Sequence, residues 1–255
     1  MEKKNIIIVG YPKSGTTWLS RLVAELVSCP LVGDWGYDHL NPPFQEGLDR
    51  DSEFQCFKSH HHQKHISEAS NLKTHTLIYI VRDPRDVVIS GMHYFHFLPP
   101  LLKKIEPLRS SVAISRFITG ITSQQQKKKQ MIQAVLYGNK ALNRWFSASW
   151  FDHYSGYLKE GVLFIKYEDL IDNPDSECAR ILDHLGYQVD AAHISESIRK
   201  QSFEVKSKAV PHNSKGNYNH LLRVGSYGYW KDEFTPEEKS QFVEAFKKME
   251  TPYAF

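Results

Sequence analysis

Short apolar runs alternate along the chain with segments of helical spacing. The runs occupy residues 6–9, 54–58, 76–81 and 161–167, and they are rich in β-branched and aromatic side chains. Runs of this length and composition are typical of strands that are buried on both faces of a parallel sheet. They therefore predict four strands of one sheet.

Helices are predicted between and after these strands. In residues 16–27 the apolar side chains recur every three or four positions, as one buried face of a helix requires. Residues 31–51 are predicted to be loop and residues 98–138 to be mostly helical. Further helices are predicted over residues 84–97, 142–158, 174–185 and 191–201, and after a capping box that starts at Thr235.

The alternation of strand and helix predicts an α/β fold, with a central, mostly parallel sheet flanked by helices. A chain of 255 residues with 41% apolar residues can bury a full core. The sequence shows no internal repeat and no linker of the kind that separates domains. We therefore expect a single domain spanning residues 1–255.

Composition excludes several classes of protein. The formal charge of +3 arises from many charges of both signs, which argues against a nucleic-acid-binding protein. Cys29, Cys56 and Cys178 lack the spacing of zinc ligands, and they are expected to be reduced thiols. No run approaches the roughly 20 apolar residues of a membrane span. These features predict a cytoplasmic protein.

A glycine-rich turn joins the first predicted strand to the first predicted helix. Residues 10–17 read GYPKSGTT, which has the glycine spacing of an ATP-binding phosphate loop. Lys13, however, lies inside the turn, and Thr16 stands where an ATPase has its lysine. Backbone N–H groups and the helix dipole make a helix N-terminus an anion site. The turn therefore predicts a phosphate site of a different kind from that of an ATPase.

Two further segments carry candidate chemistry. Residues 79–90 read YIVRDPRDVVIS, so that Arg82 ends a strand and Ser90 lies on the following helix. A guanidinium and a hydroxyl suit phosphate, although Arg82 could instead form a strand-end ion pair with Asp83. Residues 57–60 read FKSH, and the His60 side chain titrates near neutral pH, as a general base should.

These three segments closely resemble those of the cytosolic-type sulfotransferases, whose donor is 3′-phosphoadenylyl sulfate (PAPS). The resemblance implies a P-loop-like three-layer fold and transfer of a sulfuryl group to an acceptor hydroxyl or amine without a metal. In the family, the turn holds the 5′-phosphosulfate, the arginine and serine hold the 3′-phosphate, and the histidine is the base. Cationic Lys13 and Lys58 would stabilise the charge that develops on the leaving phosphate and the sulfonate.

Weaker matches extend the resemblance along the chain. Tyr167 corresponds to a tyrosine that contacts the adenine, and Phe203 to a ring that stacks on the base opposite Trp18, although each aromatic residue could equally be core. Residues 222–231, LRVGSYGYWK, resemble the segment that closes over the 3′-phosphate through Arg223 and Gly225. The predicted catalytic residues are His60, Lys13, Lys58 and Ser90. The predicted PAPS-binding residues are Lys13, Ser14, Gly15, Thr16, Thr17, Trp18, Arg82, Ser90, Tyr167, Phe203, Arg223 and Gly225.

Some positions depart from the family pattern. Val224 replaces a lysine and Tyr229 an aspartate in the closing segment, which puts part of the phosphate clamp in doubt. The family's Lys-Thr-Val-Glu dimer signature is also broken, because Pro236 follows Thr235 and Ser240 stands where the glutamate is expected. We expect a monomer, or a dimer that forms by another route.

The acceptor is expected to be a small molecule, and the aromatic character of residues 92–97 favours a hydrophobic one. Two other functions stay open from the sequence. One is a protein that binds PAPS or its product 3′-phosphoadenosine 5′-phosphate (PAP) without turnover, and the other is a phosphate-loop kinase. A metal site at His61 and His65, four residues apart, is a further alternative.

Overall fold

The computed structural model describes residues 3–35, 45–69, 75–97, 119–159, 161–209, 225–248, 251 and 253. Contacts within the chain divide it into two compact units. The first unit comprises Met1–Arg82 and Tyr154–Ser226, and the second comprises Asp83–His153 and Tyr227–Phe255. The single domain expected from the sequence stays a prediction.

Five described strands and eleven described helices make up the two units. The strands are β1 (Lys4–Val9), β2 (Leu31–Asp34), β3 (Phe54–Ser59), β4 (His75–Val81) and β5 (Val162–Lys166). The helices are α1 (Thr16–Leu26), α2 (Gln63–Ala69), α3 (Pro84–Met92), α4 (Gln124–Tyr137), α5 (Trp150–Ser155), α6 (Tyr167–Asp172), α7 (Pro174–Leu185), α8 (Ala191–Gln201), α9 (Phe203–Ala209), α10 (Trp230–Glu233) and α11 (Pro236–Phe246).

The strands of the first unit form one parallel sheet in the order β2-β3-β1-β4-β5. The predicted α/β fold, with a central parallel sheet flanked by helices, is confirmed. All strands run the same way, so their carboxyl ends lie along one edge, where ligands of open α/β sheets bind. Gly10, His60, Arg82 and Tyr167 each follow directly after one of these strands.

The core of the first unit explains why the predicted run of residues 6–9 is a central strand. The side chains of Ile6, Ile7, Ile8 and Val9 have no exposed surface, and β1 is paired on both sides. The apolar face of α1 packs on this strand within one buried cluster that also includes α7 side chains. Burial of these apolar groups fixes the turn between β1 and α1 on a rigid base.

The second unit is built around α3. Asp83 caps this helix by accepting from the Arg85 backbone N–H, and its carboxylate also pairs with the Arg85 guanidinium, 2.6 Å away. The guanidinium carbon of Arg85 lies 3.6 Å from the centre of the Trp230 ring. The Asp86 carboxylate accepts from the Gly228 N–H at 2.6 Å. These contacts join the start of α3 to the C-terminal segment of the same unit.

The structure corrects the prediction of a loop over residues 31–51, because β2 begins that segment and pairs with β3. The strand has only four residues, and its register shifts between Leu31 and Gly33. A strand this short gives almost no periodic signal, and its pairing with β3 is a long-range contact. The short helix α2 was not predicted either.

Three predicted boundaries were also wrong. Helix α3 ends at Met92 instead of residue 97, and the Gly91 carbonyl accepts from the N–H groups of both Tyr94 and Phe95, as is common at the end of a helix. Residues 142–158 are not one helix but a 3₁₀ turn, Arg144–Phe146, followed by α5. Side chains interrupt the helix there, since Asn143 and Ser149 each accept a backbone N–H two or three residues ahead. The fourth predicted strand ends at Lys166, and Tyr167 begins α6.

The mostly helical prediction for residues 98–138 is met by α4, whereas residues 98–118 lie outside the part of the chain that the structure describes. The predicted C-terminal capping box is present in α11, between Thr235 and Glu238. None of the described helices has the length and apolar character needed to span a membrane.

Candidate active site at the carboxyl edge of the sheet

The turn between β1 and α1 has the backbone of an anion cradle. Lys13 has a positive φ of 72°, and Gly15 has a φ of 98°. A left-handed conformation at a residue other than glycine costs about 1–2 kcal/mol, and strain of this kind concentrates at functional sites. Gly15 is required here, because a Cβ atom would lie 2.7 Å from the Tyr167 ring. The positive φ at Lys13 therefore marks this turn as a candidate functional site.

The start of α1 meets the chemical needs of a phosphate. Gly15 is the N-cap and supplies no side-chain hydrogen bond to the first N–H groups of the helix. The Ser14 side chain is fully buried, and its hydroxyl has no hydrogen-bond partner among the described residues. A buried hydroxyl without a partner is costly, and an oxygen of a bound phosphate would supply the hydrogen bond. The residues present therefore fit a bound phosphate group.

His60 is oriented by the backbone of the same turn. Its Nδ1 lies 2.8 Å from the Gly10 carbonyl oxygen. A carbonyl only accepts, so Nδ1 carries the hydrogen and Nε2 of the neutral ring is the acceptor. That nitrogen lies 3.5 Å from the Thr16 hydroxyl. The basic nitrogen of His60 therefore faces the first residue of α1.

Lys58 brings a buried cation to the same edge. Only 5% of Lys58 is exposed. Its ammonium lies 3.3 Å from the carboxylate of Asp34, the last residue of β2. Burial lowers the pKa of Lys58 below its ordinary value, and the Asp34 carboxylate opposes that shift. The pair places both a positive and a negative charge beside the turn.

Arg82 connects the turn with the segment that precedes Tyr227. Its guanidinium donates to the Lys13 carbonyl at 3.2 Å and to the Ser226 carbonyl at 3.0 Å. The guanidinium carbon also lies 4.3 Å from the centre of the Tyr167 ring. Arg82 is thus held at the end of β4 by two carbonyls and one aromatic face.

Aromatic side chains lie beside the turn. The Trp18 and Tyr167 rings meet edge to face, with centroids 5.7 Å apart, and the Trp18 indole N–H donates to the Gln201 carbonyl. Phe203 begins α9 and packs against Gly225, where a Cβ atom would lie 2.6 Å from the ring. Trp18 and Phe203 are only partly buried, whereas Tyr167 is 7% exposed.

Twelve of the predicted residues lie in the first unit: Lys13, Ser14, Gly15, Thr16, Thr17, Trp18, Lys58, His60, Arg82, Tyr167, Phe203 and Gly225. Ser90 lies in α3 of the second unit and is half-buried. Arg223 and Val224 fall outside the described residues. Asp34 was missed by sequence reasoning, since it lies in the segment predicted as loop.

The histidine-rich stretch shows contacts within the protein. His61 lies before α2 and His65 within it, with ring centroids 6.4 Å apart, and the Ser59 hydroxyl lies 3.1 Å from His61 Nδ1. In the described part of the chain, no group of three or more metal-ligating side chains is placed to hold an ion. The contacts give no support to the alternative of a metal site.

Comparison with known proteins gives one consistent result. The chain matches the sulfotransferase domain family over residues 3–251. The flavonol 3-sulfotransferase of Flaveria bidentis is 26% identical over 269 residues, which cover 91% of this chain and 77% of that protein. The 3-beta-hydroxysteroid sulfotransferase of Cavia porcellus is 27% identical over 280 residues, covering 99% and 86%.

Solved structures agree at the level of the fold. Mouse sulfotransferase SULT7A1, complexed with PAP, has a TM-score of 0.68 and 24% identity over 97% of this chain and 85% of that one. Retinol dehydratase, in complex with androsterone and PAP, has a TM-score of 0.66 and 18% identity over 100% and 83%.

Since the family match spans nearly the whole chain, this protein belongs to the sulfotransferase family. The resemblance and the enzyme class predicted from the sequence are confirmed. The roles of individual site residues stay predictions.

Proposed function

We propose that this sulfotransferase moves the sulfuryl group of PAPS to a hydroxyl or amine of a small apolar acceptor, with His60 as the general base. One observation carries the proposal most directly. The Gly10 carbonyl fixes the tautomer of His60, so that the basic Nε2 faces Thr16 at the start of α1. A base and a phosphate cradle are therefore adjacent.

In the transfer, an oxygen of the acceptor hydroxyl bonds to the sulfur while the bond from sulfur to the 5′-phosphate oxygen breaks. The hydroxyl proton passes to His60 Nε2, and the products are a sulfate ester and PAP. General-base assistance of this kind contributes about 10²- to 10⁴-fold to the rate. The hydrogen bond from Nδ1 to the Gly10 carbonyl holds the ring in place as it becomes positively charged.

The turn and two cations would hold the donor. Ser14 and the N-terminal N–H groups of α1 suit the 5′-phosphate, because the buried Ser14 hydroxyl has no other described partner. Lys58, and Lys13 within the turn, would stabilise the charge that moves to the leaving phosphate. Arg82 is proposed to hold the 3′-phosphate, with Ser90 and Arg223 as further partners by family resemblance.

Trp18, Tyr167 and Phe203 are proposed to contact the adenine. Their positions support this proposal, since the Trp18 and Tyr167 rings meet beside the turn, and Trp18 and Phe203 keep exposed surface. Aromatic rings can stack on any base at about 1–3 kcal/mol per contact. The curated relatives named above carry flavonol and hydroxysteroid in their names, which supports an apolar hydroxyl acceptor. A cytoplasmic location stays part of the proposal, as does a monomer or a dimer that does not form through the family's usual C-terminal motif.

The test is sulfation of a panel of phenols, sterols and amines by wild-type protein and His60→Ala, with PAP binding measured in parallel. We expect His60→Ala to lose about 10²- to 10⁴-fold in turnover while binding PAP normally, because the base acts on the acceptor. His65→Ala, an exposed histidine of α2, is the matched control and should retain activity. If His60→Ala loses PAP binding but the fraction that binds turns over normally, His60 is not the general base.

The two rival functions give different outcomes in the same experiment. A protein that only binds nucleotide would bind PAP and sulfate no acceptor. A phosphate-loop kinase would act on ATP with magnesium and leave PAPS unused. The position of Lys13 within the turn, with its left-handed backbone, disfavours the kinase, because the lysine of an ATPase loop follows the second glycine.

A further inference from the structure

Asp34 is an acidic side chain at the edge of the sheet that carries the site. It is the last residue of β2, and the register of the two parallel strands places it opposite Lys58. The backbone reinforces this pairing, because the N–H of Trp35 donates to the Lys58 carbonyl at 2.8 Å. The position of the carboxylate is therefore set by the sheet and not by a surface loop.

The two partners differ in their access to water. The Lys58 side chain is 6% exposed and the Asp34 side chain 31% exposed, with 3.3 Å between ammonium and carboxylate. A buried ammonium loses hydration that only a partner can replace. The exposed part of the carboxylate keeps Asp34 hydrated while it neutralises the cation. The Asp34 carboxylate thus compensates the Lys58 ammonium for the hydration that it loses on burial.

The charges that act on Lys58 include the Asp34 carboxylate of β2 and the Arg21 guanidinium of α1. Arg21 is itself a cation and lowers the pKa of Lys58, although it is paired with Glu46 at 2.8 Å. Burial lowers that pKa more than Arg21 does, and the Asp34 carboxylate raises it. Without the Asp34 carboxylate, burial and the Arg21 charge would both still lower the pKa of Lys58 and so favour its neutral amine.

We propose that Asp34 is a positioning residue for sulfuryl transfer, which holds the Lys58 side chain at the carboxyl edge of the sheet as a charged ammonium. The inference rests on the proposed role of Lys58 toward the donor. An ammonium has three donors, and one carboxylate oxygen takes one of them. The contact with Asp34 therefore orients the cation and leaves its positive charge able to attract an anion.

The test is the pH dependence of PAP affinity, measured by calorimetry for wild-type protein and Asp34→Asn. Between about pH 7 and about pH 9 the phosphates of PAP are already ionised, since the second phosphate pKa lies near 6. We expect wild-type affinity to change little over this range. In Asp34→Asn the pKa of Lys58 should fall, so that its ammonium group loses a proton as the pH rises over this range. PAP affinity should therefore fall by about tenfold or more.

Three variants separate this effect from simple damage to the fold. Asp34→Glu keeps the charge and should restore most of the alkaline affinity. Asp34→Asn combined with Lys58→Gln should bind PAP weakly at every pH and show no alkaline loss, because the Lys58 ammonium is no longer there to titrate. Glu53→Gln removes an exposed ion pair with Lys4 on the same sheet and should leave the profile of wild-type protein unchanged.

The outcomes distinguish this inference from the function on which it rests. If wild-type protein fails to bind PAP, the proposed function is wrong. If wild-type protein binds PAP and Asp34→Asn follows the same pH profile, the role of Asp34 is wrong. An alkaline loss that persists in the double variant would also overturn it, because the titrating group would then not be Lys58.

Discussion

Replacing Arg82 separates recognition of the 3′-phosphate from support of the turn. The guanidinium donates to the Lys13 and Ser226 carbonyls and lies over the Tyr167 ring. Each hydrogen bond is worth about 1 kcal/mol and the ring contact about 1 kcal/mol. We therefore expect Arg82→Ala to lower the free energy of unfolding by about 3 kcal/mol, whether or not Arg82 contacts the donor.

The role in recognition is measured by the preference for PAP over adenosine 5′-monophosphate, which differ only in the 3′-phosphate. A charged hydrogen-bonding partner of a phosphate contributes about 2–3 kcal/mol, or about 30- to 150-fold in affinity. Damage to the turn weakens the binding of both ligands alike, so that it cancels in the ratio of their affinities. We expect Arg82→Ala to reduce the preference for PAP by this factor and Arg82→Lys by a smaller one, since lysine keeps the charge but not the fork.

The assay is calorimetric titration of each ligand without magnesium, at a temperature well below the unfolding midpoint of the variant. Arg199→Ala removes an exposed arginine of α8 and should leave the preference intact. If Arg82→Ala weakens both ligands equally, the reasoning is refuted and Arg82 only supports the turn.

Two further predictions follow from buried polar groups. Ser14→Ala should leave the free energy of unfolding unchanged or raise it by up to about 1 kcal/mol, because the hydroxyl has no described partner. The same variant should bind PAP more weakly by about 1 kcal/mol. A loss of stability with unchanged PAP affinity would contradict the proposal that Ser14 contacts the 5′-phosphate. Burial raises the pKa of Glu25, but hydrogen bonds from Lys200 and Arg50 outweigh it and hold the pKa below its ordinary value of 4.5. The contribution of Glu25 to stability is therefore present above that value and lost as the pH falls, so that Glu25→Gln should cost about 1–3 kcal/mol at neutral pH and less in acid. Urea unfolding at two pH values measures this difference, and an equal cost at both would be evidence against it.

The elements that the sequence predicted well have strong local signals. Strand β1 is a continuous apolar run that ends at Gly10, and α1 follows a turn whose glycines mark both ends. Helix α11 begins with a capping box that is visible in four residues. Neighbouring residues alone were therefore sufficient to predict the turn before α1 and the N-terminus of α11.

The parts that were missed depend on contacts between distant residues. Strand β2 is short, and its existence follows from pairing with β3 and not from its own composition. The partner of Lys58 could not be named without that register. The tautomer of His60 likewise depends on the Gly10 carbonyl, 50 positions earlier in the chain. The sequence predicts that His60 is the base, and the contact with the Gly10 carbonyl indicates which of its nitrogens can accept a proton.

The most direct test of the account is mass spectrometry of the products formed from PAPS and a panel of phenols and sterols, with a chelator present. Parallel reactions contain ATP and magnesium in place of PAPS. We predict equal amounts of PAP and a sulfated acceptor from PAPS, and no transfer from ATP. Phosphorylated product from ATP, or tight PAP binding without any sulfated product, would contradict the proposed transfer.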